Sequence, residues 1–176
     1  MIYTEKYSSP LGTITLAGDG EALTGLWFEG QKYFGSPLPW EAVRGSCPVF
    51  LQARRWLNMY FNGERPNFTP PLRYAATPFR EAVWEILLSV PYGKTVTYSQ
   101  IARTLEERTG EHRAAQAVGG AVGRNPISLI IPCHRVVGAG GNMTGYAGGI
   151  KRKLRLLELE RADTRGLYIP TDGPAL

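Results

Sequence analysis

The sequence predicts an α+β chain in two parts. A small N-terminal α/β domain, mainly antiparallel β, precedes a mostly helical C-terminal domain that carries a helix-turn-helix and a short strand bearing a cysteine. Three observations lead there. The opening residues alternate in short apolar runs between tight turns, and a proline-rich stretch without periodicity interrupts the chain. Beyond it, apolar residues recur at helical spacing in one segment after another. The boundaries fall at 1–72 for the first domain and 73–165 for the second, with a loose tail over 166–176.

The β reading rests on "YTEKYSSPLGTITLAGDGEALTGLWFEG". Its apolar positions (Ile14 and Leu16, then Leu23, Leu26 and Phe28) are punctuated by Pro10-Leu11-Gly12 and Gly18-Asp19-Gly20, as in hairpins. "PVFLQARRWLNMYFNG" places Phe50, Leu51, Trp56, Leu57 and Tyr60 at helical spacing and ends near Gly63. "ERPNFTPPLRYAATP" is the linker. The second part opens with Thr77 as a cap and Pro78 at the first helical position, and Phe79, Val83, Trp84, Leu87 and Leu88 line one face. "VPYGKTV" breaks that helix. A second helix fits "TYSQIARTLEER", with Thr97 or Ser99 near its cap, and a third spans 113–123 in "EHRAAQAVGGAVGRNP", stopping before Asn125-Pro126. Two helices around a polar break, the second faced with alanine and glycine, have the form of a helix-turn-helix. Tight packing against a neighbouring helix would ask for the same small residues, so two readings stand. "ISLIIP" then reads as a short buried strand and "GAGGNMTGYAGG" as a glycine-rich loop. "IKRKLRLLELERA" reads as an amphipathic helix with Ile150, Leu154 and Leu157 inward.

Composition narrows the function classes. With 43% apolar and 11% aromatic residues in 176, the chain can build a core and is not a disordered segment. No stretch approaches the roughly 20 apolar residues of a membrane helix, and "MIYTEKYSS" lacks the pattern of a signal peptide. The expectation is a cytoplasmic protein with no membrane partner, whose Cys47 and Cys133 are reduced thiols. A net charge of +5 leans towards a polyanionic partner. The cations concentrate between residues 73 and 155, Arg80, Lys94, Arg103, Arg113, Arg124 and Arg135 among them.

The stretch "LIIPCHRVV", residues 129–137, sets one of only two cysteines beside one of only two histidines. A buried cysteine serving as a small hydrophobe explains the thiol but not the imidazole. Zinc would need Cys47, His112, Cys133 and His134, which lack paired spacing. A nucleophilic thiolate assisted by the histidine is the third reading. Adjacent residues of an extended chain point to opposite sides, so His134 needs a turn or a bridging water to serve Cys133. A base also needs its other nitrogen held, and Glu158 or Glu160 on the last helix could do this. The glycine-rich loop lacks both the dinucleotide and the P-loop spacing. It fits a mobile loop bordering a pocket, with Tyr146 as its one large side chain.

"IPCHRVV", preceded by "AVGGAVGRNP" and followed by "GNMTGYAGGIKRKLRLLELE", closely resembles the O6-alkylguanine-DNA alkyltransferases (methylated-DNA–protein-cysteine methyltransferases). The resemblance runs from about Thr77 to Glu160, and the Tyr-Ser-Gln after the Gly-Lys turn belongs to it. It implies that Cys133 takes the alkyl group from O6-methylguanine irreversibly, once per molecule, and that O4-alkylthymine is a further candidate substrate. His134 would accept the thiol proton through a water, Glu160 would fix the imidazole tautomer and Asn125 would brace the site. Tyr98 would help expel the guanine. Tyr146 and Ala147 would flank the flipped base, and Lys153 would fix the active-site strand.

The resemblance further implies that the helix at 113–123 enters the minor groove of duplex DNA. Ala114, Ala117, Gly119 and Gly120 would keep bulk from the groove, and Arg113, Arg124 and Arg135 would lie at the DNA. The implied protein is a monomer that needs neither cofactor nor metal, since Cys47 stands in a first domain without histidine. One position departs from the family. Gln116 stands where an arginine usually fills the gap left by the flipped base, and "TLEERTGEHR" is longer than usual between the two helices. Two rivals are a lesion sensor without chemistry, whose known examples lack the cysteine, and a Cys/His hydrolase, which would need His112.

Overall fold

The computed structural model describes residues 1–36, 38–143 and 145–170, and its contacts divide the chain into two units. The first holds Met1–Tyr74 together with Pro126–Ile130, and the second holds Ala75–Asn125 and the chain from Ile131 onward. The return of 126–130 to the first unit left no mark in the sequence.

In the first unit β1 (Tyr3–Ser9), β2 (Gly12–Gly18) and β3 (Leu23–Phe28) form an antiparallel meander. A two-residue β4 (Val43–Arg44) pairs parallel to β1, giving the order β3-β2-β1-β4. The hairpin at Pro10 is fixed by Ser9, whose hydroxyl donates to the Gly12 carbonyl at 2.6 Å. Against this sheet lies α1 (Pro48–Phe61), which buries Val49, Phe50, Ala53, Trp56, Leu57 and Tyr60. Leu51 was expected among them and is 64% exposed. The buried positions follow the i, i+3, i+4, i+7 stripe, and residue 51 falls outside it.

The strand expected over "ISLIIP" does not form. Residues 126–130 are buried turns touching β3 through one bridge, Leu26 to Ile127. Leu26 donates to the Pro126 carbonyl and accepts from the Ser128 amide, both at 2.9 Å. Leu129 then takes a left-handed conformation (φ 70°) that ends any extended run. The apolar run signalled burial and was read as strand, although a run bounded by two prolines fixes only the former.

The second unit orders α2 (Pro78–Leu88), β5 (Val96–Thr97), α3 (Tyr98–Thr109), α4 (Ala115–Gly123), β6 (Val136–Val137) and α5 (Ile150–Leu159). Thr77 caps α2 by accepting from the Arg80 amide at 3.3 Å. For α3 the cap is Thr97, not Ser99. Its hydroxyl accepts from Gln100 N at 3.1 Å and the Gln100 side chain accepts from Thr97 N at 2.8 Å, a complete capping box. The third helix starts later than the sequence suggested. Ala114 is extended (φ −68°, ψ 149°), so Arg113 precedes the helix instead of opening it. Neither Arg113 nor Ala114 can cap with an oxygen, so the helix begins only where packing supports it. That packing comes from Val118, Ala121 and Val122, while Trp84 of α2 donates from Nε1 to the Ala121 carbonyl at 2.9 Å. Among the described residues no helix is long and apolar enough to cross a membrane.

Candidate active site

Pro132 cannot donate a backbone hydrogen bond, and the chain turns immediately after it. Cys133 N donates across Pro132 to the Ile131 carbonyl at 2.8 Å, and Arg135 N donating to the Pro132 carbonyl at 3.0 Å with Val136 N donating to the Cys133 carbonyl closes a single 3-10 turn over Cys133–Arg135. The cysteine therefore sits in a turn that feeds β6, and not in the strand itself. Successive side chains in such a turn are rotated by about 120° instead of alternating, which answers the objection that neighbours in a strand face opposite ways. β6 pairs parallel with β5 (Val96 with Val136, Thr97 with Val137), so the start of α3 is tied beside the cysteine turn. Asn125 closes the neck of the 126–130 loop by donating from Nδ2 to the Ile131 carbonyl at 2.7 Å.

His134 is fully buried, and its Nε2 lies 2.5 Å from Oε2 of Glu160, the residue that follows α5. The second carboxylate oxygen accepts from Arg135 Nε at 2.8 Å and from the Gly93 amide at 3.0 Å. Arg135 also donates from Nη1 to the Val90 carbonyl at 2.8 Å and lies over the Tyr92 ring. Burial pushes the Glu160 carboxyl up, but hydrogen bonds from His134 and Arg135 and the charge of Arg135 outweigh it and hold the group well below the usual carboxylate range. For His134, burial is the largest influence and lowers its pKa against the pull of Glu160. The resting state is thus an anionic Glu160 beside a neutral His134. With Nε2 bound to a carboxylate, Nδ1 is the nitrogen that can accept a proton. Glu158, the alternative carboxylate, is exposed.

Arg135 needs correction. It was expected at the DNA, yet it is 8% exposed and spends its donors on Glu160 and Val90. A guanidinium beside a buried carboxylate is held there by charge pairing, and it serves His134 through Glu160. The Gly93 amide and Val90 carbonyl complete this arrangement and were missed, because a turn sequence shows that a turn exists without naming its hydrogen-bond partners. Lys153 is likewise interior, at 1% exposed, with burial bringing its amine down to about 8 against the raising influence of Cys133.

Tyr98 opens α3. Burial first, then the negative charge of Cys133, pushes its hydroxyl up to about 12, so it keeps its proton at neutral pH. A Cβ on Gly145 would fall 2.5 Å from that hydroxyl and one on Gly119 would fall 3.7 Å from the ring. Helix α4 and the glycine-rich loop thus close on Tyr98 from two directions. Tyr146, in the same loop, is 3% exposed, and its hydroxyl has no hydrogen-bond partner among the described residues. Ala147 beside it is half-buried.

The outer face of α4 bears on the choice left open by its composition. Gln116, Ala117 and Gly120 are exposed, with Ala114 before the helix and Arg124 after it. A Cβ on Gly120 or Gly123 would meet nothing within 4 Å. Internal packing therefore does not ask for glycine there, and each helical glycine costs roughly 0.5–1 kcal/mol relative to alanine. A surface kept bare at that cost suits a partner that must come close. Arg113 lies over the Phe79 ring at 4.8 Å and 3.4 Å from Glu111.

Comparison with known proteins places the chain in a family. Residues 78–162 match the family model described as 6-O-methylguanine DNA methyltransferase, DNA binding domain, and residues 2–74 match its ribonuclease-like domain. The chain is 45% identical over 161 residues to the methylated-DNA–protein-cysteine methyltransferase of Mycobacterium leprae, covering 92% of this chain and 93% of that one. To the Mycobacterium tuberculosis protein of the same name it is 46% identical over 162 residues, covering 92% and 94%. Among solved structures, M. tuberculosis OGT in complex with DNA superposes with a TM-score of 0.79 at 43% identity, covering 90% of this chain and 92% of the other.

Proposed function

Since this chain belongs to the 6-O-methylguanine DNA methyltransferase family, whose members repair DNA by moving an alkyl group to a cysteine, we propose that Cys133 is its acceptor. The observation that carries the assignment is the buried row Cys133–His134–Glu160, in which a neutral imidazole is gripped at Nε2 by a carboxylate and follows the thiol in one tight turn. Cys47, the other thiol, stands at the start of α1 with no histidine in its unit.

His134 takes the thiol proton at Nδ1 through a water. The sulfur attacks the alkyl carbon in line, the carbon–O6 bond breaks, and its electron pair passes to the guanine, which takes up a proton in return. Tyr98, still protonated, offers a hydrogen bond to the ring as negative charge develops there. Tyr146 and Ala147 flank the displaced base, and the unpartnered Tyr146 hydroxyl is available to a polar group of that base. The product is a thioether, a poor leaving group, so each molecule acts once. O4-alkylthymine presents the same carbon–oxygen bond and is a second substrate on this reading.

Duplex DNA is the partner, met by the bare face of α4 from the minor groove. Ala114, Ala117, Gly119 and Gly120 let the backbone approach, Arg113 and Arg124 contact phosphates, and Gln116 occupies the space vacated by the flipped base. One copy of the chain supplies every residue named, so a monomer suffices, and the reaction takes place where the DNA is, in the cytoplasm. The test is a duplex with O6-methylguanine inside a restriction site. Wild-type protein restores cleavage of one duplex per molecule and then stops, and Cys133→Ala restores none. Equal restoration by both would move the acceptor elsewhere.

A further inference from the structure

The glycine-rich loop that carries Tyr146 and Ala147 is not self-supporting. Past α5 the chain returns to it: Met143 N donates to the Tyr168 carbonyl and Tyr168 N donates to the Gly141 carbonyl, both at 3.0 Å. Asn142 and Tyr168 form a parallel bridge. The approach is as close as backbone allows. A Cβ on Gly141 (φ +91°) would lie 2.0 Å from the Gly166 carbonyl oxygen, so no other residue fits. Leu167 packs on the buried cluster of Val137, Met143 and Leu157. The same segment was read from sequence as a loose tail. Residues 166–168 are instead paired, while 171–176 lie outside the described residues.

We propose that residues 164–168 form a strap that holds the loop formed by 138–143 and 145–149 in the shape that receives the substrate base, which makes Gly141, Gly166 and the Tyr168 backbone positioning residues for the transfer. This rests on the assignment of Cys133 and on the loop lying beside the displaced base. The loop reaches the reaction centre at Gly145, which abuts the Tyr98 hydroxyl, and within the loop the Tyr146 ring is held against Gly148, where a Cβ would fall 2.6 Å away. The link to β6 is direct, because Gly138 donates to the Asn142 carbonyl at 2.7 Å, one residue beyond Val137. A loop so placed cannot shift without moving Tyr146 relative to Cys133. The strap works through main-chain groups, since the Tyr168 side chain is half exposed.

The strap should act on the chemical step and not on DNA affinity, because the bare face of α4 lies outside it. It should matter most for a substrate with no DNA to hold it. The test compares wild type, Gly141→Ala, Gly140→Ala and chains ending at residue 163 or 170. Gly140 has a left-handed φ of +69° but no neighbour within 4 Å of its would-be Cβ, so it carries the backbone strain of the substitution without touching the strap. Three quantities are read: Kd for O6-methylguanine duplex, the rate of methyl transfer from the bound complex, and the rate of inactivation by free O6-methylguanine base. Gly141→Ala and the chain ending at 163 keep Kd within about twofold. Both lose about tenfold to a hundredfold in the bound-complex rate and more with the free base. Gly140→Ala and the chain ending at 170 keep both rates near wild type. Rates equal to wild type in Gly141→Ala and in the chain ending at 163 would overturn the strap. Equal losses in Gly140→Ala and Gly141→Ala would overturn it as well, by making the effect one of backbone strain. A wild-type protein that transfers no methyl group would instead refute the assignment of Cys133.

Discussion

Glu160 is the residue on which the site turns. It joins His134, Arg135 and the Gly93 amide, and the burial that raises its pKa is more than offset by these partners. Glu160→Gln keeps the size but removes the charge that fixes the imidazole. Methyl transfer should slow by about 10²–10⁴-fold with lesion binding retained, measured as the single-turnover rate against Kd. An unchanged rate would remove His134 from the proton path. Lys153 gives a separate prediction on stability. Its folded pKa near 8 lies below the ordinary 10.5, so from pH 8 upward the unfolded chain holds a proton that the folded one has released. Stability from this group therefore rises with pH across that window. Tyr98 and Tyr146, with raised pKa values, oppose it only above pH 10. Wild type should gain in melting temperature over Lys153→Met between pH 8 and 10, and parallel curves would refute the burial effect. The adjacency of Cys133 and His134 was legible in sequence because both residue types are scarce. The role of Arg135 was not, because a cation looks the same in sequence whether it faces phosphate or a buried carboxylate.

At the scale of elements, the proposed contact with DNA means that α4 gives up helix stability for access. Gly120→Leu should raise the melting temperature, since leucine exceeds glycine in helix propensity by roughly 0.5–1 kcal/mol and its Cβ would meet no neighbour within 4 Å. The same change should weaken binding to duplex DNA at least tenfold. Gains in both would contradict the placement of that face at the groove. The helices α2 and α3 were readable to within a few residues, because caps such as Thr77 and Thr97 are local chemistry. The start of α4 was read two residues early and the strand over 127–131 wrongly. Both depend on partners distant in sequence: Trp84 and Ala121 for the helix, and Leu26 and Gln31 for the loop, where Ser128 reaches back. The segment over 166–168 escaped for the same reason, since Gly141 and Tyr168 meet only after α5 has intervened.

At the scale of the whole molecule, the net charge of +5 contributes to DNA affinity without selecting the lesion. Arg124, exposed at the end of α4, should lower the magnitude of the log–log salt slope of binding by about 0.9 when replaced by alanine, if it meets one phosphate. An unchanged slope would place it off the DNA. On the proposed function, lesion choice falls to the groups around Cys133, where charge, tautomer and loop shape converge. The most direct test of that claim is peptide mass spectrometry after mixing the protein with excess duplex carrying one O6-methylguanine. A single added methyl is expected on the peptide that contains Cys133, saturating at one per molecule. Methyl on the Cys47 peptide, or repaired DNA beside an unmodified protein, would contradict it.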